Sequence, residues 1–451
     1  MRSFELDMSK GSIFKNTLLF AIPLMLTSLL QLLYNAADLI VVSRFSGSDA
    51  MASVGSTASI TNLILNVSIG LSVGGSVVAA RKFGEKDNIG MHKVVHTAML
   101  LGFVLGIITC IVGLIFTEPL LVLMGTPEGK VMDGAVLYMK IIFLGSPAAV
   151  LYNFGAAILR ALGDTKRPLY ILAATGLINV ILNLILVVGF HMNVEGVAIG
   201  TIAANYLSAI AVVIIFMKEE SSYKLELSKL RFYKEELFSI VKIGIPAGVQ
   251  GSFFSLSNSV IQSAINSFGA VAVAGSSAAI NIEGFLYVSM NAFHQSALTA
   301  VSQNYGAKDK KRINKSIYVS TLISVVVGLI LGILTYAFRR QLLGIYITDS
   351  PEALEIGALR LMIVSAVYFF VGIMEVLTGA LRGLGCSTVT AVNSLFGACI
   401  FRVGWSVLLL PLHRDIGFLF LCMPLSWVVV CILHFITLLF VKPRAMKKID
   451  N

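Results

Sequence analysis

Asp38 stands inside a long apolar run, four residues after Tyr34 and three after Asn35. At 3.6 residues per helical turn these three share one face. A carboxyl so placed looks into protein or water rather than lipid. No Lys or Arg lies close by in the first half, so the group is costly to ionise. That suits Asp38 to gaining and losing a proton, or to exchanging the proton for Na+. Asn179 and Asn183 lie one turn apart further on, and Thr201 and Asn205 repeat that spacing. Such oxygens either surround an ion-holding carboxylate or tie helices together at about 1 kcal/mol each. In the second half Glu283 is followed by Tyr287 and Asn291 at four-residue steps, and Glu375 and Arg402 complete the ionisable set. Arg402 is the expected partner of Glu375 or Glu283, and His294 reads as a packed histidine. Asn258, Gln262 and Asn266 form another polar stripe. Tyr34, Asn35, Asn205, Asn258, Gln262, Tyr287 and Asn291 are expected to line a wet, mildly acidic chamber that favours cationic amphiphiles.

The elements that position these groups follow from composition. Of 451 residues, 57% are hydrophobic and only 13% charged, about half the charge of a soluble chain. A cytosolic enzyme, a disordered scaffold and a secreted disulfide domain are excluded. Apolar runs of about 20 residues, enough to cross a bilayer, predict about twelve spans. These lie near 14–43, 53–80, 93–117, 132–159, 168–190, 194–217, 238–266, 272–303, 314–338, 353–380, 388–411 and 415–441. With both termini inside, 26 of the 34 Lys and Arg fall in inner segments. Six fall outside: Arg44, Lys130, Arg339, Arg340, Arg360 and Arg414. That asymmetry obeys the positive-inside rule and assigns the net charge of +10 to the inner face of a plasma membrane, not to nucleic acid. The first apolar run lacks the features of a cleaved signal. Five scattered cysteines show no metal spacing.

The chain is also written twice. Ile22-Pro23 recurs as Ile245-Pro246, and Phe83-Gly84-Glu85-Lys86-Asp87 as Tyr305-Gly306-Ala307-Lys308-Asp309. Leu159-Arg160-Ala161-Leu162-Gly163 recurs as Leu381-Arg382-Gly383-Leu384-Gly385. Six spans per repeat make the repeats parallel. The expected organisation is a six-helix lobe over 1–217, a linker over 218–236, a second lobe over 237–441 and a basic tail over 442–451. Rocking of two bundles about a midplane site suits a transporter better than a channel. Pro23 and Pro246, mid-helix and duplicated, are candidate hinges. No enzyme motif occurs, so the expected energy source is an ion gradient.

Over residues 10–441 the chain resembles the multidrug and toxic compound extrusion (MATE) family. The resemblance rests on Asp38, the turn Leu159 to Asp164, and Asn179 with Gly196-Val197-Ala198-Ile199-Gly200-Thr201. It continues through Asn281-Ile282-Glu283-Gly284-Phe285, Gln303-Asn304-Tyr305-Gly306-Ala307, and Glu375 with Leu381-Arg382-Gly383. The second-half motifs look most like the DinF-like bacterial branch. The resemblance implies twelve helices in a V of two lobes, export of organic cations in exchange for H+ or Na+, and an ion site at Asp38, Asn179 and Thr201. Many relatives carry an Asp where this chain has Asn183, which weakens a Na+ site and favours proton coupling. The acidic residue of NorM-like members after Pro246 is absent, leaving Glu283 and Glu375 as candidates to replace it. The expected protein has no cofactor, works as a monomer and takes small cationic or amphiphilic substrates. A lipid-linked precursor flippase, which would need cationic residues in its interior, is the alternative, followed by a passive channel or a membrane-embedded enzyme.

Overall fold

The computed structural model describes residues 4–348 and 350–450, and among them it is all-helical. The first half folds as α1 (Ile13–Phe45), α2 (Gly47–Glu85), α3 (Asn88–Leu123), α4 (Lys130–Leu144), α5 (Ser146–Ala161), α6 (Lys166–Asn183) and α7 (Val194–Lys218). The second half folds as α8 (Lys234–Asn266), α9 (Ala270–Gly306), α10 (Lys310–Ala337), the short α11 (Arg339–Gly344), α12 (Pro351–Ser365), α13 (Phe369–Gly383), α14 (Ser387–Ser394), α15 (Phe401–Gly404) and α16 (Ile416–Asp450). A π-helical segment (Leu184–Gly189) continues α6, and two more (Leu395–Ile400 and Trp405–Leu409) flank α15.

Among the described residues nine helical runs are long and apolar enough to cross a membrane, and two bent pairs raise the number to eleven. The pairs are α4 with α5, bent by 48°, and α12 with α13, bent by 51°. Pro147 at the start of α5 explains the first bend, since its ring fits a helix's first turn but not its interior. The remaining expected span coincides with α2, 39 residues long. α1 and α8 run unbroken through Pro23 and Pro246.

The chain forms two compact units: Met1–Asp7 with Leu26–Gly248, and Met8–Met25 with Val249–Asn451. The boundary crosses α1 and α8 just after their prolines rather than falling in the 218–236 stretch. In the second unit Met8 N–H donates to Gln303 Oε1 at 2.8 Å, and the Arg312 guanidinium donates to the carbonyls of Met8, Lys10 and Gly11.

The sequence repeat reappears as repeated turn geometry. Lys86 and Lys308 both adopt left-handed backbone, φ 56° and 59°. The aspartates that follow cap the next helices, Asp87 accepting from Gly90 N–H and Asp309 from Arg312 N–H. Gly163 and Gly385 share φ near +81° and +87°. Within the first unit α2 meets the first part of α8 backbone to backbone. A Cβ on Gly70 would lie 2.1 Å from Gly248 N, and one on Gly74 2.1 Å from the Ile240 carbonyl oxygen.

Candidate functional site

In the first unit α1, α6 and α7 bring Asp38, Asn179, Asn183 and Thr201 together. Asn183 Nδ2 donates to Asp38 Oδ1 at 2.5 Å. With its amide nitrogen turned toward the carboxylate, Asn179 donates to the same oxygen at 3.0 Å, and its oxygen accepts from Thr201 N–H at 3.2 Å. Thr201 Oγ1 lies 3.4 Å from Asp38 Oδ2 but only 2.9 Å from the Val197 carbonyl. A hydroxyl has one proton. Given to Val197, it leaves a hydroxyl lone pair facing the carboxylate. Asn183 Oδ1 is buried with no partner. The site is therefore rich in acceptors, which a proton or a small cation would satisfy. No basic residue pairs with Asp38 among the described residues.

Two glycines make this closeness feasible. A Cβ on Gly200 would lie 2.1 Å from Asn183 Oδ1, and one on Gly176 would lie inside the Tyr34 ring. Tyr34 donates to the Ala173 carbonyl at 3.2 Å. Asn35 is exposed and Asn205 half-buried, and neither bonds to the carboxylate. Tyr138 of α4, which the sequence reading missed, lies within electrostatic reach of Asp38.

The second unit is organised differently from expectation. Arg402 pairs with neither glutamate. Glu283 is held in bidentate fashion by Arg360, at 2.7 and 3.0 Å. Arg360 was expected outside; it is 2% exposed inside α12, where its guanidinium also lies over the Phe420 ring. The reason is that a hydropathy pattern places an arginine by its neighbours in sequence, while this one is placed by its partner on α9. Glu375 Oε2 lies 2.9 Å from His294 Nδ1. Arg382 is also buried. It donates to Gln250 Oε1 at 2.7 Å and faces His294 Nε2 at 3.4 Å. Gln250, in the stretch where NorM-like members carry an acid, donates in turn to Ser394. Tyr287 bonds to Asn291 near Glu375, and Gln262 bonds to Asn266 along its own helix. His294 is thus packed, as expected, but as the bridge between a carboxylate and a guanidinium.

The MatE family model matches residues 23–185 and 246–408, one copy in each half. The "Probable multidrug resistance protein YoeA" of Bacillus subtilis is 28% identical over 86% of this chain and 85% of its own length. The "Multidrug export protein MepA" of Staphylococcus saprophyticus is 24% identical over 89% and 91%. Among solved structures, the outward-facing conformation of a multidrug resistance MATE family transporter superposes with a TM-score of 0.90 at 20% identity, covering 99% of this chain and 100% of that one.

Proposed function

The chain belongs to the MatE family, and from that membership we propose that it is a secondary active efflux transporter, exporting organic cations and amphiphiles across the cell membrane in exchange for protons. Its termini lie in the cytoplasm, and one chain is the working unit. The names of the relatives, a multidrug resistance protein and a multidrug export protein, support export of small molecules.

The observation that carries the coupling is the contrast between carboxylates. Glu283 and Glu375 each have a basic partner within 3.0 Å, so protonating either breaks an existing pair. Among the described residues Asp38 has only neutral hydrogen-bond partners, so it changes charge without that loss. Ionised, it attracts a cation. Protonated, it loses that attraction and gains a donor for an acceptor-rich surround. Uptake of a proton and release of a cationic substrate are then two uses of one negative charge. Pro23, one helix with Asp38, would pass the change along α1.

The test is ethidium efflux from proteoliposomes under a pH gradient and, separately, a Na+ gradient. Efflux driven by pH alone and lost in Asp38→Asn is expected. Wild-type rates in that variant would remove Asp38 from the mechanism, and efflux driven by Na+ alone would overturn the proton assignment.

A further inference from the structure

Arg402 is buried, 4% exposed, within a membrane span. Its Nε donates to Ser426 Oγ at 2.9 Å and one terminal nitrogen to Asn258 Oδ1 at 3.3 Å, both neutral acceptors. No carboxylate lies within ion-pair distance of it among the described residues. An unpaired buried guanidinium is one of the costlier things a membrane protein can hold. Its neighbourhood does not relieve that cost. Arg360, within electrostatic reach, spends its charge on Glu283 and leaves one terminal nitrogen buried and unbonded. Both arginines reach α16, Arg360 over Phe420 and Arg402 at Ser426. Six residues along a helix span about 9 Å. Two guanidiniums and one carboxylate thus leave this part of the second unit one positive charge in excess.

Two further observations indicate a built site. The π-helical segments Leu395–Ile400 and Trp405–Leu409 enclose the single helical turn that carries Arg402, and π-helical interruptions occur frequently at functional sites. The position also answers the first-unit site through the internal repeat. At the 223-residue offset relating Pro23 to Pro246, Asn258 corresponds to Asn35 and Asp38 to Ile261. Asp38 on α1 is held by polar groups of α6 and α7. Arg402, on the span matching α6, is held by polar groups of α8 and α16, which match α1 and α7. The same three-helix frame carries opposite charge in the two units.

We propose that Arg402, held by Asn258 and Ser426, is an anion-binding site that takes the carboxylate or another oxyanion group of a transported amphiphile. Asn258 is exposed, so the guanidinium lies one side chain from the surface of its unit. A planar guanidinium with free N–H groups matches a two-oxygen anion. The sequence pattern argues against anionic groups for want of interior arginines, because it places Arg360 outside.

Rhodamine B and its ethyl ester share a cationic ring system and differ in one carboxylate. Binding of each to purified full-length protein in detergent is read by fluorescence anisotropy, with sodium chloride and sodium phosphate tested alone by thermal unfolding at matched ionic strength. The expected result is that the acid binds about tenfold or more tightly than the ester, that Arg402→Gln brings the acid to the ester's affinity, and that Arg402→Lys retains part of the preference. Absence of a preference, with phosphate or chloride stabilising the wild type but not Arg402→Gln, assigns the same site to a free inorganic anion and overturns its role toward a transported amphiphile. A preference that survives Arg402→Gln, or neither effect in the wild type, overturns the proposal. If Arg402→Gln does not fold, Arg402→Met, which also removes the charge, takes its place in each comparison. These readouts need no ion gradient, so failure of proton-coupled ethidium efflux leaves them interpretable.

Discussion

Asp164 sits in the turn between α5 and α6 with 2% of its surface exposed. Burial pushes its carboxyl up to about 6 from an ordinary 3.8, even though the backbone N–H groups of Lys166 and Arg167 and the Arg167 guanidinium favour the charged form. The native state therefore holds this proton more tightly than the unfolded chain. The resulting stabilisation is complete below pH 3.8 and is lost as pH rises through 6. A rise of that size corresponds to a loss on the order of 3 kcal/mol. Asp164→Asn keeps the oxygen that accepts both N–H groups and removes the titration. Unfolding of the purified protein from pH 4 to pH 7 should accordingly be flatter in the variant, and parallel profiles would refute this. Asp38 is a residue-scale case of a different kind: its neutral partners were legible as i, i+4 polar pairs because those residue types are rare in spans. Arg360 was not legible, because nothing within α12 announces a carboxylate on α9.

At the scale of elements, helices were easily read and their interruptions were not. Span positions follow from hydropathy, and the duplicated Lys-Asp and glycine turns follow from the internal repeat. The π-helical segments and the α12–α13 bend have no comparable signature, since they depend on packing against other helices. Close approach behaves similarly. Gly70/Gly74 and Gly102/Gly106 look alike as spaced pairs of small residues, yet the first pair meets backbone and Gly102 meets the Phe154 ring. Backbone cannot rotate away, so Gly74→Ala should force α2 from α8 and cost about 1–3 kcal/mol. Gly75→Ala is the matched control. Its Cβ would find Ala98 at an ordinary 3.6 Å, and the loss of a helical glycine should leave stability unchanged or raised. Thermal unfolding of both variants in one detergent checks this, and equal midpoints would show that the crossing is not tight.

On the scale of the whole molecule, duplication supplies two frames of similar construction that have been filled with unlike chemistry. The first holds a lone carboxylate among amides and a hydroxyl, while the second holds its carboxylates in ion pairs and leaves an arginine over. The frame was legible because landmarks recur 222 and 223 residues apart. The filling was legible only in the first unit, where the carboxylate and its amide partners lie on neighbouring turns of their helices.

The amide that binds the backbone of Met8 belongs to Gln303, 295 residues later. During synthesis at 5–20 residues per second, roughly 15–60 s pass between the two. For that interval the opening of the chain, already made and already followed by a membrane helix, has no partner for the bond it will keep. Nascent chains stalled before Gln303 should therefore be clipped by an added protease within residues 8–11, and chains stalled well beyond it should resist. Equal cleavage of the two would mean that the leading segment is secured by other contacts, made while the second half is still unborn.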